Sequence, residues 1–100
     1  MTTKLAPIHP GEILREEFIM PLKINPNRLA LALRVPVPGV YEIVAGERSI
    51  SPEMALRLGY CLNTTPDFWL NLQARYDLET ARDKEQAKVE KEVQQLVMEP

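Results

Sequence analysis

An all-α fold is what this sequence predicts, and three observations carry the prediction. Prolines stand at the starts of apolar stripes. Apolar residues recur at three- and four-residue intervals within those stripes. No stretch alternates apolar with polar residues over strand length, and there is no Asn-Gly or Asp-Gly hairpin turn. Of the nine prolines in 100 residues, three follow a small polar residue, in Asn25-Pro26, Ser51-Pro52 and Thr65-Pro66. In such a pair the first residue caps the orphan amides of a helix, while proline, with no N–H to lose, takes the first turn.

The first helix begins at His9-Pro10, with Glu12 in its positively polarised first turn and Leu14 and Phe18 four apart as its buried stripe. A link over about 21 to 25 leads to the second helix at Pro26, whose stripe is Leu29 and Leu33. After a turn over about 34 to 37, a third helix carries Val40 and Ile43; a link over about 46 to 51 follows. The fourth helix starts at Pro52, with Ala55, Leu58 and Leu62 facing inward. Residues 63 to 65 then lead to the fifth at Pro66, where Phe68, Leu72 and Tyr76 are spaced by four. Such short links suit a compact bundle. Beyond Leu78 the composition changes to charged residues, Gln and Ala, with Glu79/Arg82 and Glu85/Lys88 spaced for helical ion pairs. The chain thus divides into residues 1–78, a helix-turn-helix domain, and residues 79–100, a charged helical extension. Leu78, Ala81, Val89, Val93 and Leu96 trace a thin apolar stripe on that extension; a solvated helix frayed at its end is favoured over one packed on a partner.

Composition excludes several classes. With 45% apolar residues, 12 Lys+Arg and 14 Asp+Glu, the chain fits one soluble globular domain plus a tail. A net charge of −2 argues against coating nucleic acid non-specifically with cations. No apolar stretch is long enough for a membrane span or signal core, and the lone Cys61 cannot form an intramolecular disulfide, so a cytoplasmic protein without membrane association is expected.

The most informative stretch is Pro26 to Arg48, where the helix-turn-helix covers about 26–45. Two helices crossing steeply need a small residue at closest approach, then a sharp turn, then apolar residues at a three-residue interval facing back. Ala30, Arg34, Val40 and Ile43 occupy those places. Arg34 is the exception, because such a turn often needs positive φ, which costs a side-chain-bearing residue on the order of 1 kcal/mol. Either the turn is strained or its shape differs. Taken alone, this spacing also fits a helical hairpin with no role in nucleic-acid binding.

A resemblance covers more of the chain. His9-Pro10-Gly11-Glu12-Ile13-Leu14-Arg15-Glu16-Glu17-Phe18, Tyr41-Glu42-Ile43-Val44-Ala45-Gly46-Glu47-Arg48, Ala55-Leu56-Arg57-Leu58 and above all Pro66-Asp67-Phe68-Trp69-Leu70-Asn71-Leu72-Gln73-Ala74-Arg75-Tyr76-Asp77-Leu78 are similar to the HigA antitoxin family. The similarity runs from about residue 8 to 82. It implies a five-helix DNA-binding domain of the lambda-repressor type, forming dimers that bind operator DNA and repress their own operon. It also implies a non-enzymatic protein that neutralises a HigB-type messenger-RNA-cleaving toxin. A two-fold dimer would place its recognition helices about one DNA turn apart, on a palindromic site.

The matching positions depart from the family at the start of the recognition helix. Pro36, Val37, Pro38 and Gly39 offer no side-chain hydrogen bond to a base edge, where family members commonly carry Asn, Arg or Ser. Val37 can touch a thymine methyl, and Tyr41 supplies a hydroxyl and a ring. Asn25, Asn27 and Arg28 at the N-terminus of the second helix, Arg34 in the turn and Arg48 after the recognition helix are the expected phosphate clamps. Residues 9 to 66 hold six Lys/Arg and six Asp/Glu, and Glu42 and Glu47 repel phosphate unless they pair locally, for instance Glu47 with a neighbouring Arg. Weak, steeply salt-dependent binding is therefore expected. A protein-interaction module on the same fold, without specific DNA reading, is the alternative.

No other group of residues forms a site. Cys61 reads as a small core residue and His9 as a helix cap, and with no second His neither a metal site nor a Cys-His nucleophile is indicated. Glu16 and Glu17 point about 100° apart on a helix and do not converge on a substrate. No phosphate loop, cofactor site or catalytic constellation is present. Phe68 continues a core stripe, whereas Trp69 projects to one side with Gln73 and marks a tentative dimer interface, core burial of both aromatics being the competing reading.

Overall fold

The computed structural model describes residues 6–98 and consists of helices joined by short links. The first rod, α1, comprises an α-helical stretch Pro10–Leu14, a π-helical stretch Arg15–Ile19 and a last α turn Met20–Leu22. Then follow α2 (Pro26–Leu33), α3 (Val37–Val44), α4 (Pro52–Leu62) and α5 (Pro66–Glu92). No strand occurs among the described residues.

The helix starts obey the local chemistry of the sequence. Asn25 Oδ1 accepts from the Arg28 N–H at 2.8 Å, Ser51 Oγ from that of Met54 at 3.1 Å and Thr65 Oγ1 from that of Phe68 at 3.1 Å. At α1 the cap is His9, whose Nδ1 accepts from the Gly11 N–H at 2.9 Å. The ends of α1 to α4 share one device. The N–H groups of Ile24, Val35, Glu47 and Thr64 reach back five residues to the carbonyls of Ile19, Ala30, Glu42 and Gly59 at 2.8–3.2 Å. In each case the preceding residue, Lys23, Arg34, Gly46 or Asn63, is left-handed, with φ between 57° and 79°. Only one of the four is glycine, so the turn at Arg34 has the expected shape and bears the strain.

The π-helical stretch follows from Pro21. A proline here cannot donate to the Glu17 carbonyl and its ring would strike it; widening the preceding turn relieves both. The Met20 N–H accordingly donates to Arg15. One residue is thereby inserted into the apolar period, so the pair buried on this rod is Leu14 and Ile19, with Phe18 only half-buried.

The core gathers Leu14, Leu29, Ala30, Leu33, Val40, Ile43, Ile50, Ala55 and Leu58 around Trp69. The aromatic assignment on α5 is a correction. Trp69 is fully buried, its Nε1 donating to Thr64 Oγ1 at 2.8 Å, whereas Phe68 lies half-exposed and edge-on to it at 5.0 Å. Gln73, one turn later, is buried, and Leu72 and Tyr76 flank it half-buried. The tryptophan occupies the core because it brings the larger apolar surface and finds its hydrogen-bond partner there. Trp69 and Gln73 are thus interior to the chain rather than a surface offered to a second copy.

Gln73 closes a polar circuit. Its Oε1 accepts from the Ile50 N–H at 2.9 Å and its Nε2 donates to Asp77 at 2.9 Å and Ser49 at 3.4 Å, tying the link before α4 to α5. Cys61 is exposed, contrary to its expected core role, because Leu58 and Gly59 turn inward and carry it to the outer face of α4. Helix α5 passes position 78 without interruption and ends at Glu92, most of its second half being exposed. Glu79 pairs not with Arg82 but with Arg75, at 2.9 Å.

Gly11 has no room for a side chain. A methyl group there would sit 1.7 Å from the Ile43 carbonyl oxygen, so α1 crosses α3 backbone to backbone. We expect Gly11→Ala to separate these helices at a cost of about 3 kcal/mol or more, lowering the thermal midpoint by more than about 10 °C; a melt within a degree or two of wild type would refute the close crossing.

His9 sits beside this contact, edge-on to Tyr76 at 4.8 Å. Burial pushes its imidazole below the usual 6.5, against weaker opposing pulls from the Asp77 carboxylate and a hydrogen bond with the Arg48 backbone. The unfolded chain therefore binds this proton more readily. The associated stability is complete above about pH 6.5 and is lost as the pH falls below it. Protonation also removes the Nδ1 lone pair that caps α1. The thermal midpoint should fall between about pH 7.5 and 5.5, and His9→Asn, a cap that does not titrate there, should flatten that fall. A wild-type midpoint independent of pH over this range would exclude the coupling.

Candidate nucleic-acid interface

Helix α2 is short and tied at both ends. Asn25 spends its side chain on the N-cap, leaving Asn27 and Arg28 exposed on the first turn, where the positive end of the helix dipole lies. At the other end the Leu33 carbonyl, left without an intrahelical donor, accepts from Arg57 Nη1 at 2.9 Å. Arg57 is in turn held by Glu53 through Nε at 3.2 Å and Nη2 at 3.0 Å. The turn between α2 and α3 is therefore fixed from α4 as well as by its own backbone.

Helix α3 begins without a side-chain cap, from an extended Pro36. With Pro38 in its first turn it has fewer orphan N–H groups to satisfy than other helix starts. Val40 and Ile43 are buried against α1 and α2, so the opposite face of the helix carries what faces solvent. Tyr41 is exposed there. Val37, one turn earlier on the same face, is half-buried and packs against the core edge.

Arg48 is not a free cation. Its Nε lies 3.2 Å from Glu42 Oε2, and its Nη2 lies 3.0 Å and 3.4 Å from Oε2 and Oε1. The acid that pairs is thus Glu42, six residues upstream, rather than Glu47. Left-handed Gly46 turns the chain back after α3 and brings the two side chains together.

Of the residues expected at a DNA surface, Asn25, Asn27 and Arg28 cluster at the start of α2, and Arg34 stands at the far end of that helix, roughly 10 Å along its axis. Val37 and Tyr41 share one face of α3, and Arg48 lies just beyond it. Arg57 was missed by sequence reading, and Glu42, expected near DNA and open to a local pairing, was not recognised as the partner of Arg48. Both act across helix boundaries, at separations of 24 and six residues, and carry no local periodic signal. Among the described residues no group of three or more His, Cys, Asp or Glu could hold a metal ion, and no helix is long and apolar enough to cross a membrane.

A short helix reversing through a left-handed turn into a second helix, anchored on a small core of further helices, defines a helix-turn-helix domain. No family model matches the chain. It is 42% identical over 80 residues to virulence-associated protein I of Dichelobacter nodosus, covering 80% of this chain and 74% of that one. To antitoxin HigA-1 of Vibrio cholerae it is 37% identical over 84 residues, or 84% and 79% of the two chains. Its structure superposes on that of Pseudomonas aeruginosa antitoxin HigA with the higBA promoter with a TM-score of 0.88 at 48% identity, over 91% of this chain and 99% of that one. The chain belongs to the HigA antitoxin family of helix-turn-helix regulators.

The strain at Arg34 is testable. Arg34→Gly removes a left-handed penalty of about 1 kcal/mol, partly offset by the greater freedom of the unfolded chain, and should raise the thermal midpoint by about 2–4 °C. A lower midpoint would mean that the arginine side chain stabilises the turn.

Proposed function

We propose that this chain is a dimeric, non-enzymatic cytoplasmic antitoxin that binds operator DNA through α2 and α3, represses its own operon and neutralises a HigB-type messenger-RNA-cleaving toxin. The observation that carries the DNA-binding part is the helix-turn-helix itself, rigidly mounted on α1 and α4 and superposing on an antitoxin solved with promoter DNA. Asn27, Arg28 and Arg34 hold the phosphate backbone, with the capped start of α2, including Asn25, aimed at it; Arg48 adds a contact once Glu42 yields it. Tyr41 and the edge of Val37 face the major groove, and Tyr41 supplies the one side-chain hydroxyl for base reading on this face of α3. With Trp69 and Gln73 inside the chain, the dimer is held by other surfaces.

A second reading, a protein-interaction module on the same fold, draws on the apolar run Pro36 to Gly39, which leaves the start of α3 without polar readers. Fluorescence anisotropy against the protein's own promoter and a scrambled duplex, at about 0.15 M salt, separates the two. Preference for the promoter of about a thousandfold supports the operator binder, and equal weak binding supports the interaction module. For the operator binder, Arg28→Ala should weaken binding to every duplex and lower the salt slope by about one unit, whereas Tyr41→Ala should chiefly reduce discrimination. An equal loss on both duplexes for Tyr41→Ala would remove its role as a reader.

A further inference from the structure

We propose that Arg57 is a positioning residue for DNA binding: from α4 it holds the turn that leads into α3, and so seats the end of that helix which enters the groove. The inference rests on the DNA-binding reading above. The two ends of α3 are held differently. Its last turn is pinned by the crossing of Gly11 on Ile43 and by the reversal at Gly46. Its first turn has no side-chain cap, Pro36 and Pro38 donate nothing, and Val35 and Val37 pack only at the edge of the core. That end therefore takes its position from the end of α2. Of the four left-handed helix ends, this is the one, among the described residues, whose last helical carbonyl receives a side chain from another helix: Arg57 Nη1 donates to the Leu33 oxygen at 2.9 Å. The guanidinium is itself held, because its Nε and Nη2 lie 3.2 and 3.0 Å from Glu53 Oε1, one turn earlier on α4. A planar fork fixed through two nitrogens aims the third, and a charged donor on a carbonyl shifts an equilibrium by about ten- to a hundredfold. Without Arg57 the Leu33 carbonyl turns to water and the turn after α2 samples other positions. DNA then captures only the molecules with α3 in place, and Kd rises by the inverse of that fraction.

The test uses the full chain, titrated by anisotropy against its own promoter over a salt series, together with amide NMR of the free protein. Arg57→Met keeps the apolar stem and loses the fork. It should weaken promoter binding by about tenfold, with the salt slope unchanged because no phosphate contact is lost. The amides of Arg34, Val35 and Val37 should shift and show millisecond exchange, while those of Ile24, Glu47 and Thr64, which close the other three left-handed ends, stay in place. Arg57→Lys retains the charge but not the planar fork, and should fall between, about two- to fivefold weaker than wild type. Thr65→Ala removes the cap of α5 and lowers stability away from the turn, and should bind the promoter like wild type. Unchanged promoter affinity for Arg57→Met would overturn the proposal and leave Arg57 a structural residue, as would an equal loss for Thr65→Ala. A salt slope lower by about one unit, with the Arg34 to Val37 amides unmoved, would overturn it by making Arg57 a phosphate contact. Should Arg57→Met not fold, Arg57→Lys carries the same tests. A wild-type chain that does not bind its promoter overturns the DNA-binding reading itself, whereas wild-type binding that Arg57→Met leaves intact overturns this inference alone.

Discussion

The structure depends on the contact between Gly11 and the Ile43 carbonyl. Any side chain at residue 11 would occupy the space of that oxygen, and only hydrogen lets α1 lie directly on α3. This crossing presses the recognition helix onto the core through Val40 and Ile43, and that burial determines which face of α3 meets solvent. His9 secures the crossing from the side: its Nδ1 caps the helix that carries Gly11, and its ring packs against Gly46 and Tyr76. The start of α1, the end of α3 and the middle of α5 therefore meet at one imidazole. A single neutral histidine couples the scaffold to the functional helix.

The remaining restraints on α2 and α3 come from backbone groups that helices leave unsatisfied at their ends. Four helix ends close through the same left-handed reversal, and the Leu33 carbonyl is answered by Arg57 from α4. Gln73 serves the Ile50 amide in the same way from α5. Because a buried amide or carbonyl without a partner costs about 1–3 kcal/mol, these side chains hold the links more firmly than apolar packing alone would. The candidate interface inherits that rigidity, and its electrostatics are governed by an internal pair rather than by excess positive charge.

Helix starts were legible in the sequence because capping is local: Asn25, Ser51 and Thr65 each act on an amide three residues away, and proline after each permits little else. The stripes of α2, α3 and α4 were legible for the same reason, since an undistorted helix keeps its period. Two stripes were not. On α1 the proline at position 21 was visible, but its consequence, a widened turn that exchanges Phe18 for Ile19, depends on the helix continuing past it to pack. On α5 a four-residue spacing fitted both 68-72-76 and 69-73, and the choice was made by Thr64, which offers the Trp69 indole a partner inside the fold.

By itself, then, the sequence determined the number of helices, where they begin, the position of the helix-turn-helix and the family, because these rest on interactions spanning a few residues or on a long contiguous motif. Tertiary structure decided which side chains are available for function. It took Trp69 and Gln73 inside, put Cys61 outside, and joined Arg48 to Glu42 and Arg57 to the end of α2. Availability depends on what approaches from other helices and on how a left-handed turn redirects the chain, and neither is encoded in the local period of residues.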